Sequence, residues 1–116
     1  MSRMGLDLYA GIAVADYPAA LAWYERLLGS PPSFVVHDGE VVWELAESRS
    51  LYVEHLPERA GHAMITVFVG DFEERIAAIA GRGIAPTKVE TYDNGVRKAV
   101  FHDPEGNEIG FGGGPV

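Results

Sequence analysis

A duplication hidden in the chain constrains its fold more than any other feature. Sliding the sequence over itself by 55 residues, from Asp16 to Asp71, lays YAGIAVADYPAALAWYERLLG (9–29) on MITVFVGDFEERIAAIAGRGI (64–84). Val14 then meets Val69, Tyr17 meets Phe72, Leu21 meets Ile76 and Ala22 meets Ala77. In each half an alternating apolar stretch reads as a strand. An aspartate follows, placed as an N-cap to accept an orphan backbone N–H, and then an amphipathic helix stopped by glycine. The same offset carries His37-Asp38-Gly39 onto Tyr92-Asp93-Asn94, each between stretches with strand character. Asp93-Asn94-Gly95 and Asp38-Gly39 suit hairpin turns, because Asn and Gly tolerate the positive φ angles of a tight turn.

Each half therefore reads strand, helix, then three strands joined by short turns. The first set of strands is expected at 5–14, 33–37, 40–47 and 50–56 with a helix over 17–28. The second is expected at 62–70, 85–91, 96–102 and 107–112 with a helix over 72–81. The fold class is α+β: two βαβββ modules, 1–56 and 62–116, in a single domain, with residues 57–61 as a linker too short for independent domains. A chain of 116 residues supports one core. A lone module would have a sheet with one face on its helix and the other bare. Two must meet to cover the bare faces or leave a groove between them, and function is sought in that groove.

Composition removes several classes of function. Nine basic residues against 17 acidic ones give a net charge of -8, which repels phosphate backbones and excludes nucleic acid as the expected partner. There are no cysteines, so thiolate chemistry and sulfur-ligated zinc are absent. No apolar run approaches the ~20 residues of a membrane span, and MSRMGLDLYAG lacks the apolar centre of a signal peptide, so the expected location is cytoplasmic without membrane association.

The modules, the Val-x-Asp-aromatic step closing each first strand, Trp23-Tyr24 followed by Leu28-Gly29, and above all Asp103-Pro104-Glu105-Gly106-Asn107-Glu108-Ile109 resemble the vicinal oxygen chelate superfamily of glyoxalases, extradiol dioxygenases and bleomycin-resistance proteins. The resemblance covers nearly the whole chain and implies a curved mixed sheet around a groove. It also implies a homodimer, with modules paired either within one chain or across two. Metal-dependent members carry a His, Gln or Glu ligand on the first and last strand of each module. Carried onto this sequence, those positions fall on Tyr9, Met64 and Gly110. The fourth is Glu54 if strand alternation follows Leu51 and Val53, or His55 if the 55-residue offset is applied to Gly110. A phenol with an ordinary pKa of about 10, a thioether and a glycine are poor donors for a hard dication. Neither metal nor other cofactor is expected, and no catalytic residue is assigned. Asp7, His62 and Glu108, each two residues before a vacated position, are the members of a conceivable displaced site.

Alternation places Ala10, Ile12, Val14, Ile65, Val67 and Val69 toward the helices, leaving Tyr9, Gly11, Met64, Thr66 and Phe68 on the groove face. The expected ligand-binding residues are Tyr9, Trp43, Tyr52, Glu54, Met64 and Phe68. Rings and a thioether beside a carboxylate suit a small aromatic or cationic organic molecule. Resemblance to bleomycin-resistance proteins implies sequestration as one outcome. The alternative is a lyase, isomerase or dioxygenase-type enzyme, either with a displaced metal or, without one, using Glu54 or His55 for proton transfer and Tyr9 as a donor.

Overall fold

The computed structural model describes residues 5–115; Met1 to Met4 and Val116, within the expected module limits, lie outside the described residues. The first half runs β1 (Leu8–Val14), α1 (Tyr17–Leu28), β2 (Phe34–His37), β3 (Glu40–Ala46) and β4 (Arg49–His55). A single 3-10 turn, Pro57–Arg59, leads into β5 (Met64–Val69), α2 (Phe72–Gly81), β6 (Lys88–Thr91), β7 (Arg97–His102) and β8 (Glu108–Gly113). The strands pair as β1-β4-β3-β2 and β5-β8-β7-β6, with β1 parallel to β4 and β5 parallel to β8. The expected α+β arrangement is borne out, as two four-stranded mixed sheets of identical order.

Alternation along the strands sorts side chains onto two faces. Ile12, Val14, Val41, Leu51 and Val53 are buried toward α1, while Ala99, Phe101, Ile109 and Phe111 are buried in the second half. All belong to one apolar cluster with Tyr24, Leu27, Phe72 and Ile79 from the helices. Each Val, Leu, Ile or Phe among them contributes about 1.5–3 kcal/mol by leaving water. The helix ends differ. Asp16 caps α1 as expected, accepting from Ala19 N at 3.2 Å. Asp71 does not cap α2 with its side chain; Arg75, one turn later, draws its carboxylate into an ion pair at 3.1 Å.

A polar seam ties the halves together. The Tyr24 hydroxyl donates to Asp103 Oδ2 at 2.8 Å, and Asn107 Nδ2 donates to the Ala13 carbonyl at 3.1 Å. The Glu105 carboxylate accepts from Ala15 N and Asp16 N at the start of α1, each at 2.8 Å. Arg26 and Arg82 donate across the seam to carbonyls of the opposite helix and of the turn after α2. Asp103 also accepts from Glu105 N, Asn107 N and Asn107 Nδ2. Burial and this hydrogen bond hold the Tyr24 phenol well above its ordinary pKa. The Asp-Pro-Glu-Gly turn is thus an anchor between modules.

Candidate functional site

The candidate site is the sheet surface that no helix covers. Tyr9 is 52% exposed, Met64 78% and Phe68 64%, while the residues between them on each strand turn inward. On the first sheet, Tyr52 pairs with Gly11 on one side and Val42 on the other; Glu54 pairs with Ala13 and Glu40. Tyr9, Gly11, Tyr52, Glu54 and Glu40 therefore share the uncovered face. Part of it forms a cleft of about 410 Å³ lined by Gly11, Tyr52, Glu54, Arg59, His62 and Ala63.

Register resolves the choice between Glu54 and His55 as to facing. Glu54 is half-buried on the groove face, whereas His55 points to the helix side, its ring 6.5 Å from that of Tyr17. Trp43 must be moved from the expected groove set. It pairs with core residue Leu51, is 2% exposed, and its Nε1 donates to the Ser30 carbonyl at 2.9 Å. A ring 6.2 Å from Tyr24 on the helix side packs the core and is not available for stacking in the groove.

The four equivalent positions can be read from the ladders. Gly110 pairs with Thr66 on β5, and the counterpart of Thr66 at the 55-residue offset is Gly11, whose partner on β4 is Tyr52. The partner of Gly110 across the pseudo-repeat is therefore Tyr52, neither Glu54 nor His55. The 55-residue offset fails there because five residues separate β7 from β8, Asp103 to Asn107, where two separate β3 from β4.

A family model of the Glyoxalase/Bleomycin resistance protein/Dioxygenase superfamily matches residues 5–111. The chain belongs to this superfamily. A glyoxalase/bleomycin resistance protein from Catenulispora acidiphila is 50% identical, with a TM-score of 0.93 over 96% of this chain and 100% of its own. A bleomycin-binding protein complexed with bleomycin is 18% identical, with a TM-score of 0.76 over 94% of this chain and 98% of its own. A lactoylglutathione lyase from Agrobacterium tumefaciens is 16% identical, with a TM-score of 0.74 over 97% and 96%. The last two show the fold alone. No curated protein matches the sequence.

Set against a divalent cation, the residues at the superfamily's ligand positions do not fit: Tyr9, Tyr52, Met64 and Gly110 offer two phenols, a thioether and no side chain. The space over Gly110 is already occupied. A Cβ there would lie 2.8 Å from Cε of Lys98, whose side chain crosses the position a carboxylate ligand would take. Nor are Asp7, His62 and Glu108 gathered into a displaced site. Among the described residues, the metal-capable group is His37, Glu40 and Glu54, with donor atoms within 4.8 Å of one another. Its hydrogen bonds oppose a metal. His37 Nδ1 accepts from Gly39 N at 3.1 Å, which places the proton of a neutral ring on Nε2, and Nε2 lies 3.2 Å from Glu40 Oε1. Metallation of Nε2 would shift that proton to Nδ1, against the Gly39 N–H.

Other large or charged side chains have structural roles. Tyr24 is fully buried with Trp23 against its edge, and Arg97 pairs with Glu73 at 2.7 Å while stacking on Phe72. Sequence reasoning passed over His37, Glu40 and Lys98 as groove-face residues. The alternation of β7 from the inward Ala99 signals the facing of Lys98, though not the course of its side chain.

Proposed function

We propose that this protein binds a small flat organic molecule on its groove faces without a metal, and does so as a homodimer. The observation that carries the reading is the exposure of Tyr9, Met64 and Phe68 on surfaces that their own helices cannot cover. Large apolar side chains left exposed on such a face are often met by a ligand or a partner. Tyr9, Met64 and Phe68 supply area and Tyr52 a ring edge. Glu54, beside Glu40 in the ladder, supplies an acceptor for a donor or cationic group. A second copy would bring another groove face over the first and give the ligand two walls. The fold shared with the bleomycin-binding protein supports sequestration as the outcome of binding.

A thermal-shift screen of aromatic amines and acids, with light scattering on the same samples and metal analysis of protein purified without chelator, tests this reading. The expected results are stabilisation by at least one aromatic class, a dimer mass at micromolar concentration and substoichiometric metal. A monomer stabilised by nothing, or a stoichiometric ion lost in Glu54→Gln, overturns it. Catalytic turnover abolished by Glu54→Gln with binding retained would favour the enzyme alternative.

A further inference from the structure

The groove face of the second sheet holds a cation, Lys98, that makes no close ion pair with any described residue. Lys98 on β7 pairs in the ladder with Gly112, yet its Cε lies over Gly110, so the side chain leans along the sheet toward the Met64 end. The position of Gly112 is taken instead by the ring of Phe68, 3.1 Å from where a Cβ would stand. Two glycines on one strand thus form a trough with Phe68 over one and Lys98 over the other. Thr66 Oγ1 lies 3.5 Å from the same point above Gly110, placing a hydroxyl on the lysine's side of the trough. The lysine is half-buried.

Both neighbouring carboxylates make their closest contacts with other groups, although the charge of Lys98 still reaches Glu90. Glu90, opposite Lys98 in the ladder, accepts from the Tyr92 hydroxyl at 3.1 Å and pairs with Lys88 at 3.3 Å. Glu108 on β8 lies 3.5 Å from His102 Nε2. Among the described residues no carboxylate stands within ion-pair distance of the Lys98 ammonium. In a protein with a net charge of -8, an ammonium without a close carboxylate is left available to an anion from outside. An incoming anion would meet the cation, a hydroxyl donor and an apolar wall of Phe68 and Met64 together.

From this geometry we infer that the ligand is an organic acid, its carboxylate held by Lys98 Nζ and Thr66 Oγ1 and its flat apolar body lying against Phe68 and Met64. Where metal-dependent relatives set an anionic ligand around a cation, this chain sets the cation itself and receives the anion from outside. The inference rests on the small-molecule reading above and specifies the charge of its ligand.

The test uses three probes of one shape and different charge, 2-naphthoate, 2-naphthamide and 2-naphthylmethylammonium, titrated calorimetrically into the full chain and into Lys98→Gln, Lys98→Arg and Thr66→Val. A charge-assisted hydrogen bond corresponds to about tenfold or more in affinity. Wild type should therefore prefer naphthoate over naphthamide by at least about tenfold. Lys98→Gln should abolish that preference without weakening naphthamide, Lys98→Arg should keep it, and Thr66→Val should weaken naphthoate alone. Equal affinity for naphthoate and naphthamide, preference for the ammonium, or a preference that survives Lys98→Gln overturns the organic acid while leaving small-molecule binding in place. Failure of all three probes to bind removes both readings.

Discussion

The two modules share a topology and differ in what they present. On the first sheet the groove face carries Glu40, Glu54 and His37, and the phenol of Tyr52 lies across Gly11, where a Cβ would stand 2.5 Å from the ring. On the second sheet the corresponding glycine, Gly110, is crossed by Lys98. The same device, a glycine that lets a side chain from the neighbouring strand lie flat on the sheet, displays a ring in one half and a cation in the other. Duplication conserved the pairing that builds the surface, because register is fixed by the buried face. The exposed face is under no such constraint, and there the halves present different side chains.

The modules also differ in the turn before the last strand, and the largest expected effect breaks that difference. Asp103 is 5% exposed and accepts four hydrogen bonds, so Asp103→Ala orphans several buried donors and should cost about 3 kcal/mol or more in urea unfolding. Glu47→Ala, in the matching but exposed turn of the first module, should change stability by under about 0.5 kcal/mol. Comparable losses from the two would show that the seam does not depend on the longer turn.

A pH series sharpens the same contrast. The folded-state pKa of Tyr24 is raised by burial and by Asp103. Its contribution to stability is therefore complete below the unfolded value of about 10 and is lost as pH rises beyond it, because the unfolded phenol releases its proton first. Unfolding free energy should fall above about pH 10, and Tyr24→Phe, weaker by about 1–2 kcal/mol at neutral pH, should fall less steeply there. Parallel alkaline slopes would assign the loss to other groups.

The glycine pair gives a smaller effect. Gly11→Ala must push the Tyr52 phenol aside and should cost about 1–3 kcal/mol, whereas Gly110→Ala displaces only the flexible end of Lys98 and should cost under about 0.5 kcal/mol. Equal penalties would mean that Lys98 is as firmly seated as the ring. The smallest effect is at the rim. The carboxyl of Glu90 is held below its ordinary value, first by the Tyr92 hydroxyl and then by Lys88 and Lys98. Any stability it adds is present above the unfolded pKa and lost on acidification. Tyr92→Phe should raise the Glu90 pKa in a carboxyl NMR titration, and an unchanged midpoint would remove the hydroxyl's role.

Much of the fold was legible because it repeats. Both helix spans emerge at their expected limits, since Asp16, Gly29 and the 3.6-residue apolar spacing are local signals that tertiary packing reinforces. The facing of Tyr9, Met64 and Phe68 followed from alternation alone. The fourth ligand position was misread because a three-residue difference in one turn breaks the offset, which only the ladders reveal. Trp43 was misplaced because a large ring suits either face, and its neighbour across the strand decides. Lys98 was not singled out from the sequence as a groove residue, because the path of a four-carbon stem depends on whether the next strand leaves room beneath it.

By itself, then, the sequence determined the duplicated βαβββ order, the single core and the poor metal donors at three of the superfamily's ligand positions, since periodicity, capping and side-chain chemistry are properties of a residue and its near neighbours. The tertiary structure decided which residues meet across strands: Tyr52 over Gly11, Lys98 over Gly110, and Tyr24 on Asp103 between the halves. Those contacts join positions far apart in the chain, and they are set by ladder register and by the space glycine leaves open, neither of which is written at any one position.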